Sequence, residues 1–151
     1  MNGSLSIVMP VFNEAVHLQA TVEALAEAVS RSGLAAELVL VDDGSTDGSA
    51  EAARTAAADR IPLRVLTQTR DGRFKARRAG VAAATSDAVL LLDARVRLHP
   101  DSLRFLASAQ APEQSVWNGH VVPQTKGNPF GAFGNVPKRS RPRATRRTTK
   151  L

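Results

Sequence analysis

Apolar residues before residue 112 fall into four short runs separated by longer stretches of mixed polarity. Each run is almost continuously apolar, which is typical of strands that are buried on both faces of a parallel sheet. The pattern therefore predicts four strands, at residues 4–11, 37–41, 61–66 and 87–92.

Helical spacing of apolar residues fills the interval between the first two runs. We expect a helix there with Asn13 as its N-cap and Gly33 just beyond its end. Its apolar face consists of Leu18, Val22, Leu25 and Val29.

Three further helices are predicted from their first residues. Thr46 is the expected N-cap of an Ala-rich helix that ends near Ala58, and Asp71 is the expected N-cap of a helix over residues 72–84. Pro100 suits a first helical turn and predicts a short helix after it.

This order of elements predicts an α/β fold with a doubly wound, mostly parallel sheet and helices on both faces. Ligands of such sheets bind beyond the carboxyl ends of the strands. Polar residues follow three of the four strands there, at 10–14, 42–45 and 93–95. One acid at a strand end is most often a helix cap, but three such ends at one edge of a sheet indicate a ligand site.

Composition limits the class of protein. The 151 residues make one domain or part of one. The absence of Cys excludes disulfides, Cys-ligated zinc, iron–sulfur clusters and a thiol nucleophile. No apolar run approaches the roughly 18 residues that span a bilayer, and no signal peptide is expected. We therefore expect a cytoplasmic protein, with peripheral attachment at the inner membrane face left open.

The net charge of +6 comes from the C-terminal end of the chain. Residues 137–151 include seven basic residues and no acidic one, so the rest of the chain is close to neutral. This segment has one Leu and no aromatic residue, too little apolar area to offset the entropy of ordering. We expect a disordered basic tail. The Ala- and Arg-rich composition indicates a GC-rich gene, and our hypothesis is that the tail is a frameshift product or truncation scar.

Two common nucleotide-binding motifs are absent. The first strand is followed by PVFNEAV rather than by G-x-G-x-x-G, and the chain contains no G-x-x-x-x-G-K-[ST]. A classical dinucleotide site and a P-loop are therefore excluded. The acids at the strand ends suit ribose hydroxyls, base nitrogens or a divalent cation instead.

Three segments in the same order resemble the nucleotide-binding half of glycosyltransferases of family 2, which have the GT-A fold. They are SIVMPVFNE at 6–14, VLVDDGSTDGS at 39–49 and GRFKARRAGVAAATSDAVLLLDARVRLHPDSL at 72–103. The resemblance covers about residues 4–106. It implies an incomplete GT-A sheet that binds a nucleotide-diphosphate sugar.

The resemblance also implies which residues contact the donor. The end of the first strand would line the nucleotide pocket through Pro10, Phe12, Asn13 and Glu14. Asp42 and Asp43 would contact the base and the ribose. The fork of a carboxylate suits a base N–H or a ribose diol, and Gly44 lets the backbone approach closely.

The third segment departs from the family pattern at one position, since Arg78 stands where the family has Asn. Arg77 matches the pattern, and the resemblance implies that it faces the diphosphate, where a guanidinium fork pairs two phosphate oxygens. Five cations lie within residues 70–78, and a solvated basic helix face is the alternative interpretation.

The fourth strand departs from the family pattern more strongly. The family's Asp-x-Asp holds a Mn or Mg ion that bridges the diphosphate, and here the triplet is Asp93-Ala94-Arg95. Two alternatives stay open: Arg95 or Arg97 replaces the metal ion, or Asp93 ligates it together with water and phosphate. Either a cation or positioned arginines can stabilise the departing diphosphate.

The resemblance divides the chain into three parts. Residues 1–111 would form the nucleotide-sugar-binding region, 112–136 the incomplete start of an acceptor-side region, and 137–151 the tail. Residues 115–122 are interpreted either as a strand or as a tight turn. The family's general base lies in its second half, so no catalytic residue is assigned. We expect this chain alone to bind donor and to transfer sugar poorly or not at all.

The predicted function is transfer of a sugar, with inversion, from a nucleotide-diphosphate donor to an unidentified saccharide or lipid-linked acceptor. A non-catalytic nucleotide-sugar binding module or inactive fragment is the first alternative. A binder of anionic polymers that acts through the tail is the second, although nucleic acid is not an expected partner because the chain lacks an aromatic platform.

Overall fold

The computed structural model describes residues 4–86 and 88–108, which lie within one unit, Met1–Ala111. Strands and helices alternate in this part of the chain, as the apolar pattern predicts. A 3₁₀ turn at Ala58–Arg60 follows the second helix. The elements are β1 (Ser4–Val11), α1 (Ala15–Ser32), β2 (Ala35–Asp42), α2 (Ser49–Ala57), β3 (Leu63–Thr67), α3 (Arg73–Ala83), β4 (Ala88–Leu91) and α4 (Arg104–Ala107).

The four strands form one parallel sheet in the order β3-β2-β1-β4. The chain builds the sheet outward from β1 through β2 to β3 and then returns to the other side of β1. The strand order therefore reverses between β1 and β4, and the crevice at such a switch point is where doubly wound sheets bind ligands. The predicted parallel, doubly wound sheet is confirmed.

Helices cover both faces of the sheet, because alternate strand residues point to opposite sides. Ile7 and Met9 of β1 belong to the larger core, which also contains the buried residues of α1 and α2. Val8 points the other way and packs with Val39, Val41 and Ala76 in a smaller core under α3. Odd-numbered side chains of β1 thus pack into the larger core, and Val8 packs into the smaller core on the other face of the sheet.

Gly80 brings α3 close to the sheet. A Cβ atom added at this position would meet Val8 Cγ1 and would lie 3.0 Å from Val41 Cγ2. Both valines are fully buried. The absence of a side chain at Gly80 therefore sets how closely this helix approaches β1 and β2.

Three predicted N-caps are wrong. Helix α1 begins after Glu14 rather than after Asn13, α2 begins after Gly48 rather than after Thr46, and α3 begins after Gly72. None of the three cap positions makes a side-chain capping hydrogen bond. The side chains expected to cap are used elsewhere; the carboxylate of Asp71, for example, pairs with Lys75 Nζ at 2.7 Å.

Several predicted boundaries also shift. Strand β2 is longer than predicted at both ends, and β3 begins two residues late because Pro62 has no N–H to donate. The helix expected after Pro100 starts only at Arg104, since the hydrogen bonds Ser102 N to His99 O and Arg104 N to Asp101 O close four-residue turns first. The predictions for 112–136 and for the tail lie outside the described residues.

Candidate functional site

The carboxyl ends of all four strands lie along one edge of the sheet. The register brings Val11 level with Asp42, and Asp42 level with Thr67. Backbone hydrogen bonds continue past the strands, from Asp43 N to Val11 O at 2.8 Å and from Gln68 N to Asp42 O at 2.9 Å. The end of β3 thus lies at the same edge as the other strand ends. The sequence analysis predicted ligand-site residues only after β1, β2 and β4. The sequence contains this information, because the polar residues Thr67 and Gln68 directly follow the third apolar run.

Asp42 and Asp43 are both buried, but they serve different faces of the sheet. Leu40 of β2 packs on the α1 side and Val41 on the α3 side, so alternation directs Asp42 toward the first and Asp43 toward the second. The Asp42 carboxylate makes one hydrogen bond to the described residues, accepting from Ser45 N at 2.9 Å through Oδ1. Its second oxygen makes no hydrogen bond to the described residues.

Asp43 is used to hold the chain that follows β3. Its Oδ1 accepts from Gln68 Nε2 at 2.7 Å and from Asp71 N at 2.8 Å, and its Oδ2 accepts from Gly72 N at 2.9 Å. Burial raises the pKa of Asp43, but these hydrogen bonds together with the charge of Arg70 leave it lowered overall. The predicted contact of Asp43 with the nucleotide is untested, and its carboxylate already positions the start of α3.

Asn13 links two loops of the edge. Its φ of 52° is in the left-handed region, its N–H donates to Ser45 Oγ at 3.0 Å, and its Oδ1 accepts from Thr46 N at 2.9 Å. The left-handed conformation is one that Asn tolerates better than most residues. This use of the side chain explains why Asn13 does not cap α1.

Asp47 makes the N-capping hydrogen bonds of α1 and α2 that were predicted for Asn13 and Thr46. Its Oδ2 accepts from Ala15 N at 2.9 Å, at the first residue of α1, and its Oδ1 accepts from Ser49 N at 3.0 Å, at the first residue of α2. Ser49 in turn accepts from Glu14 N at 2.9 Å. Burial raises the pKa of Asp47, and the hydrogen bonds from Ser49 and Ala15 lower it overall. Sequence reasoning missed this residue although it lies in the second motif.

Pro10, Phe12 and Gly44 occupy three different environments at the edge. Pro10 is buried within β1. Arg70 Cζ lies over the ring of Phe12, 3.9 Å from the ring centroid, and makes a cation–π contact with it. Gly44 has a φ of 81°, and a Cβ there would lie 3.2 Å from Arg70 N, so the close approach that it permits is to the chain after β3.

Arg77 and Asp93 join α3 to the end of β4. Arg77 Nη2 donates to Asp93 Oδ1 at 2.6 Å, and both side chains are partly exposed. Arg77 Nε is buried and has no hydrogen-bond partner among the described residues. A buried donor without a partner carries a desolvation cost that a bound acceptor would remove.

Arg95 and Glu14 join the ends of β4 and β1 across the switch point. Arg95 Nε lies 3.0 Å from Glu14 Oε1 and 2.9 Å from Glu14 Oε2. The Glu14 side chain is 13% exposed and that of Arg95 is 69% exposed. Hydrogen bonding and the charge of Glu14 raise the pKa of Arg95. The terminal nitrogens of Arg95 make no hydrogen bond to the described residues.

The acids at the edge do not converge as metal ligands. Within residues 4–86 and 88–108, no group of three His, Asp or Glu side chains is arranged to hold a metal ion. Asp93, the predicted metal ligand, accepts a hydrogen bond from Arg77.

Two clefts flank α2 and the 3₁₀ turn and contain none of the predicted site residues. The described helices include none with the length and apolar character needed to cross a membrane.

Comparison of the sequence with family models and known proteins gives a consistent result. The model for glycosyl transferase family 2 matches residues 6–148. The undecaprenyl-phosphate 4-deoxy-4-formamido-L-arabinose transferase of Pectobacterium carotovorum is 36% identical over 110 residues, covering 72% of this chain and 34% of the relative. The chain thus spans about a third of the length of the curated relatives that it matches.

Comparison of the structure gives two informative neighbours. S. aureus TarS 1–349 in complex with UDP has a TM-score of 0.63 and 23% identity, covering 69% of this chain and 31% of that one. A mannosyltransferase from Pyrobaculum calidifontis in complex with GDP-Man and Mn2+ has a TM-score of 0.64 and 24% identity, covering 74% and 33%. At these identities the likeness shows the fold alone, and it confirms the predicted GT-A fold.

Proposed function

The chain belongs to glycosyltransferase family 2, and on that premise we propose that it binds the nucleoside diphosphate of a nucleotide-sugar donor for transfer to a lipid phosphate. The observation that carries the proposal is Asp42, a buried carboxylate at the ligand-binding edge with one oxygen uncommitted. A buried acid with a free acceptor suits a base N–H or a ribose hydroxyl.

The arrangement around Asp42 supports this assignment. Asn13 and Ser45 join the loops that follow β1 and β2, and Asp43 fixes the loop that follows β3. Three strand ends are therefore held together without using the free oxygen of Asp42. A rigid frame of this kind lowers the entropy that ligand binding would otherwise cost.

The relatives support the acceptor class. The Pectobacterium relative is named as an undecaprenyl-phosphate transferase, and we propose an acceptor of the same chemistry for this chain. A lipid phosphate is largely ionised at neutral pH, with a second pKa near 6 for phosphate monoesters. Its oxygen can attack the anomeric carbon of the donor sugar while the bond from that carbon to the nucleoside diphosphate breaks. This single displacement inverts the anomeric carbon and releases the nucleoside diphosphate, and it requires no general base to remove a proton. An acceptor hydroxyl would require one.

The test is titration calorimetry of the 151-residue chain with UDP and with GDP. We expect saturable binding, and we expect Asp42→Asn to weaken it by about 10- to 100-fold, the loss from removing one hydrogen bond to a charged group. Asp59→Asn is the matched control, since Asp59 lies in the exposed 3₁₀ turn after α2. Binding of neither nucleotide would refute the proposal, as would equal affinity in wild type and Asp42→Asn.

A non-catalytic donor-binding module is the second candidate, favoured by Arg95 at the position of a metal-binding acid. Radiolabelled sugar transfer from UDP- or GDP-sugars to undecaprenyl phosphate separates the two functions. Product that carries the label supports transfer. Nucleotide binding without product supports the binding module. The basic tail that suggested an anionic-polymer binder lies outside the described residues.

A further inference from the structure

The end of β4 presents a guanidinium where the family resemblance places a metal-binding carboxylate. Arg95 is held there through a single nitrogen, because Nε donates to both oxygens of Glu14. The carboxylate is mostly buried and the guanidinium is mostly exposed. Glu14 therefore holds the side chain through Nε, and the two terminal amino groups make no hydrogen bond to the described residues.

The remaining acid of the triplet is also paired with a guanidinium. Asp93 Oδ1 accepts from Arg77 Nη2 at 2.6 Å, and the buried Nε of Arg77 has no hydrogen-bond partner in the part of the chain that the structure describes. Arginine has five N–H donors, and here Arg77 uses only one of them in a hydrogen bond to the described residues. Unused donors of this kind are what phosphate oxygens accept from.

This donor set does not fit a divalent cation. Mg²⁺ and Mn²⁺ take about six ligands, mostly oxygen, and at phosphate sites one or two carboxylates hold Mg²⁺ together with phosphate oxygens and waters. Asp93 and Glu14 are the carboxylates that follow β4 and β1, and each has a guanidinium at hydrogen-bond distance. A cation ligated by either carboxylate would therefore lie beside a guanidinium, and no group of three acids or His within the described residues is arranged to offset that repulsion.

We propose that this site binds the diphosphate of its nucleotide without a divalent cation, and that Arg95 and Arg77 supply the positive charge. The proposal rests on the proposed function, since it concerns the same nucleotide site. Each guanidinium is oriented by its own carboxylate, Glu14 for Arg95 and Asp93 for Arg77. Planar forks held in this way pair two phosphate oxygens and stabilise the charge that develops on a departing diphosphate.

The test is calorimetric titration of the 151-residue chain with UDP and GDP, first in EDTA and then in Mn²⁺. For the wild type we expect the two dissociation constants to agree within about twofold. We expect Arg95→Gln to weaken binding in EDTA by about 10- to 100-fold, because one charged hydrogen-bonding partner of the diphosphate is lost. We expect Arg95→Asp to bind only when Mn²⁺ is present, since it restores the second acid of the triplet.

Arg60→Gln and Arg60→Asp are the matched controls. Arg60 forms an exposed pair with Glu23 at 3.1 Å, and it precedes β3, so it lies at the amino edge of the sheet. Both control variants should bind as the wild type does. Thermal unfolding of each variant identifies any that fails to fold, and Arg95→Lys, which keeps the charge but loses the fork, should then show an intermediate affinity.

The outcomes separate this proposal from the one on which it rests. An improvement in wild-type affinity of tenfold or more by Mn²⁺ would overturn the metal-independent site and leave the nucleotide site standing. Wild-type affinity in Arg95→Gln, measured in EDTA, would also overturn it. Binding of neither nucleotide under either condition would refute both proposals.

Discussion

Asp47 Oδ2 accepts a hydrogen bond from Ala15 N at 2.9 Å, so a carboxylate in the loop after β2 caps the helix that begins after β1. The same carboxylate accepts from Ser49 N through its other oxygen. A helix N-terminus carries unpaired N–H groups and a partial positive charge, both of which favour an acid. One side chain therefore caps two helices whose own cap positions make no side-chain capping hydrogen bond.

Replacing Asp47 should destabilise the protein more than an ordinary cap substitution does. We expect Asp47→Ala to lower the free energy of unfolding by about 2 to 3 kcal/mol, since a single cap contributes about 0.5 to 2 kcal/mol and two are lost. Asp47→Asn keeps one acceptor oxygen and should cost about half as much. Urea unfolding measures both, with Asp59→Ala as an exposed control. A cost below that of one cap would mean that the two helices do not depend on Asp47.

Asp43 should make stability depend on acid pH. Its pKa in the folded protein is lowered from 3.8, so the unfolded state takes up a proton first as the pH falls. The contribution of Asp43 is therefore fully present above about pH 4 and is lost as the pH falls through the folded pKa. We expect the free energy of unfolding of the wild type to decline below about pH 4, and that of Asp43→Asn to be lower at neutral pH but flatter in acid.

Urea unfolding at several pH values between about 5 and 2 checks this expectation. Asp59→Asn is the control, because Asp59 is exposed and has no side-chain hydrogen bond or ion pair within the described residues. It should follow the wild-type profile. Parallel profiles for the wild type and Asp43→Asn would show that the hydrogen bonds from Gln68, Asp71 and Gly72 do not stabilise the charged carboxylate.

The sequence was sufficient for the architecture because each strand is a run of apolar residues bounded by polar ones. The alternation of strands and helices predicted the parallel, doubly wound sheet, but not that its order reverses between β1 and β4, where the charged pairs were found. Glu14 and Arg95 were both predicted from the motifs. Their hydrogen bond was not, because 81 residues separate them and only the fold brings them together.

Local rules failed where a side chain serves a neighbouring loop. Asn13 and Asp71 have the residue types of helix caps and the right position in the sequence, but their side chains bond to Thr46 and Lys75. The adjacent pair Asp42 and Asp43 was predicted to act together on the nucleotide. Strand alternation directs the two carboxylates to opposite faces, and this consequence requires knowing that β2 extends to Asp42.

Gly80→Ala should destabilise α3 even though Ala is the better helix former. Helix propensity alone would favour Ala by about 1 kcal/mol. The added Cβ would meet Val8 and Val41, which are fully buried and have stiff β-branched side chains. Overpacking of this kind costs about 1 to 3 kcal/mol, so we expect a net loss in the free energy of unfolding.

Val8→Ala provides the internal test of that cause. It removes the methyl group that the new Cβ would meet, so Gly80→Ala should cost less in the Val8→Ala background than in the wild type. Ala82→Gly, on the exposed side of α3, measures the propensity difference without the clash. Strictly additive effects of Val8→Ala and Gly80→Ala would show that the two positions do not compete for the same space.

Glu14→Gln should weaken nucleotide binding through Arg95 rather than by itself. The glutamine amide keeps one acceptor for Arg95 Nε but loses the charge that fixes the guanidinium, so the side chain should sample more orientations. We expect UDP affinity in EDTA to fall by about fivefold, less than for Arg95→Gln, because the cation remains available. The decisive measurement is the double variant Glu14→Gln with Arg95→Gln: if Glu14 acts by positioning Arg95, the double variant binds UDP with the same affinity as Arg95→Gln alone. Glu23→Gln removes the acid of an exposed pair at the other edge of the sheet and should leave UDP affinity unchanged. A further loss of affinity in the double variant would show that Glu14 contacts the nucleotide directly, as the family resemblance implies.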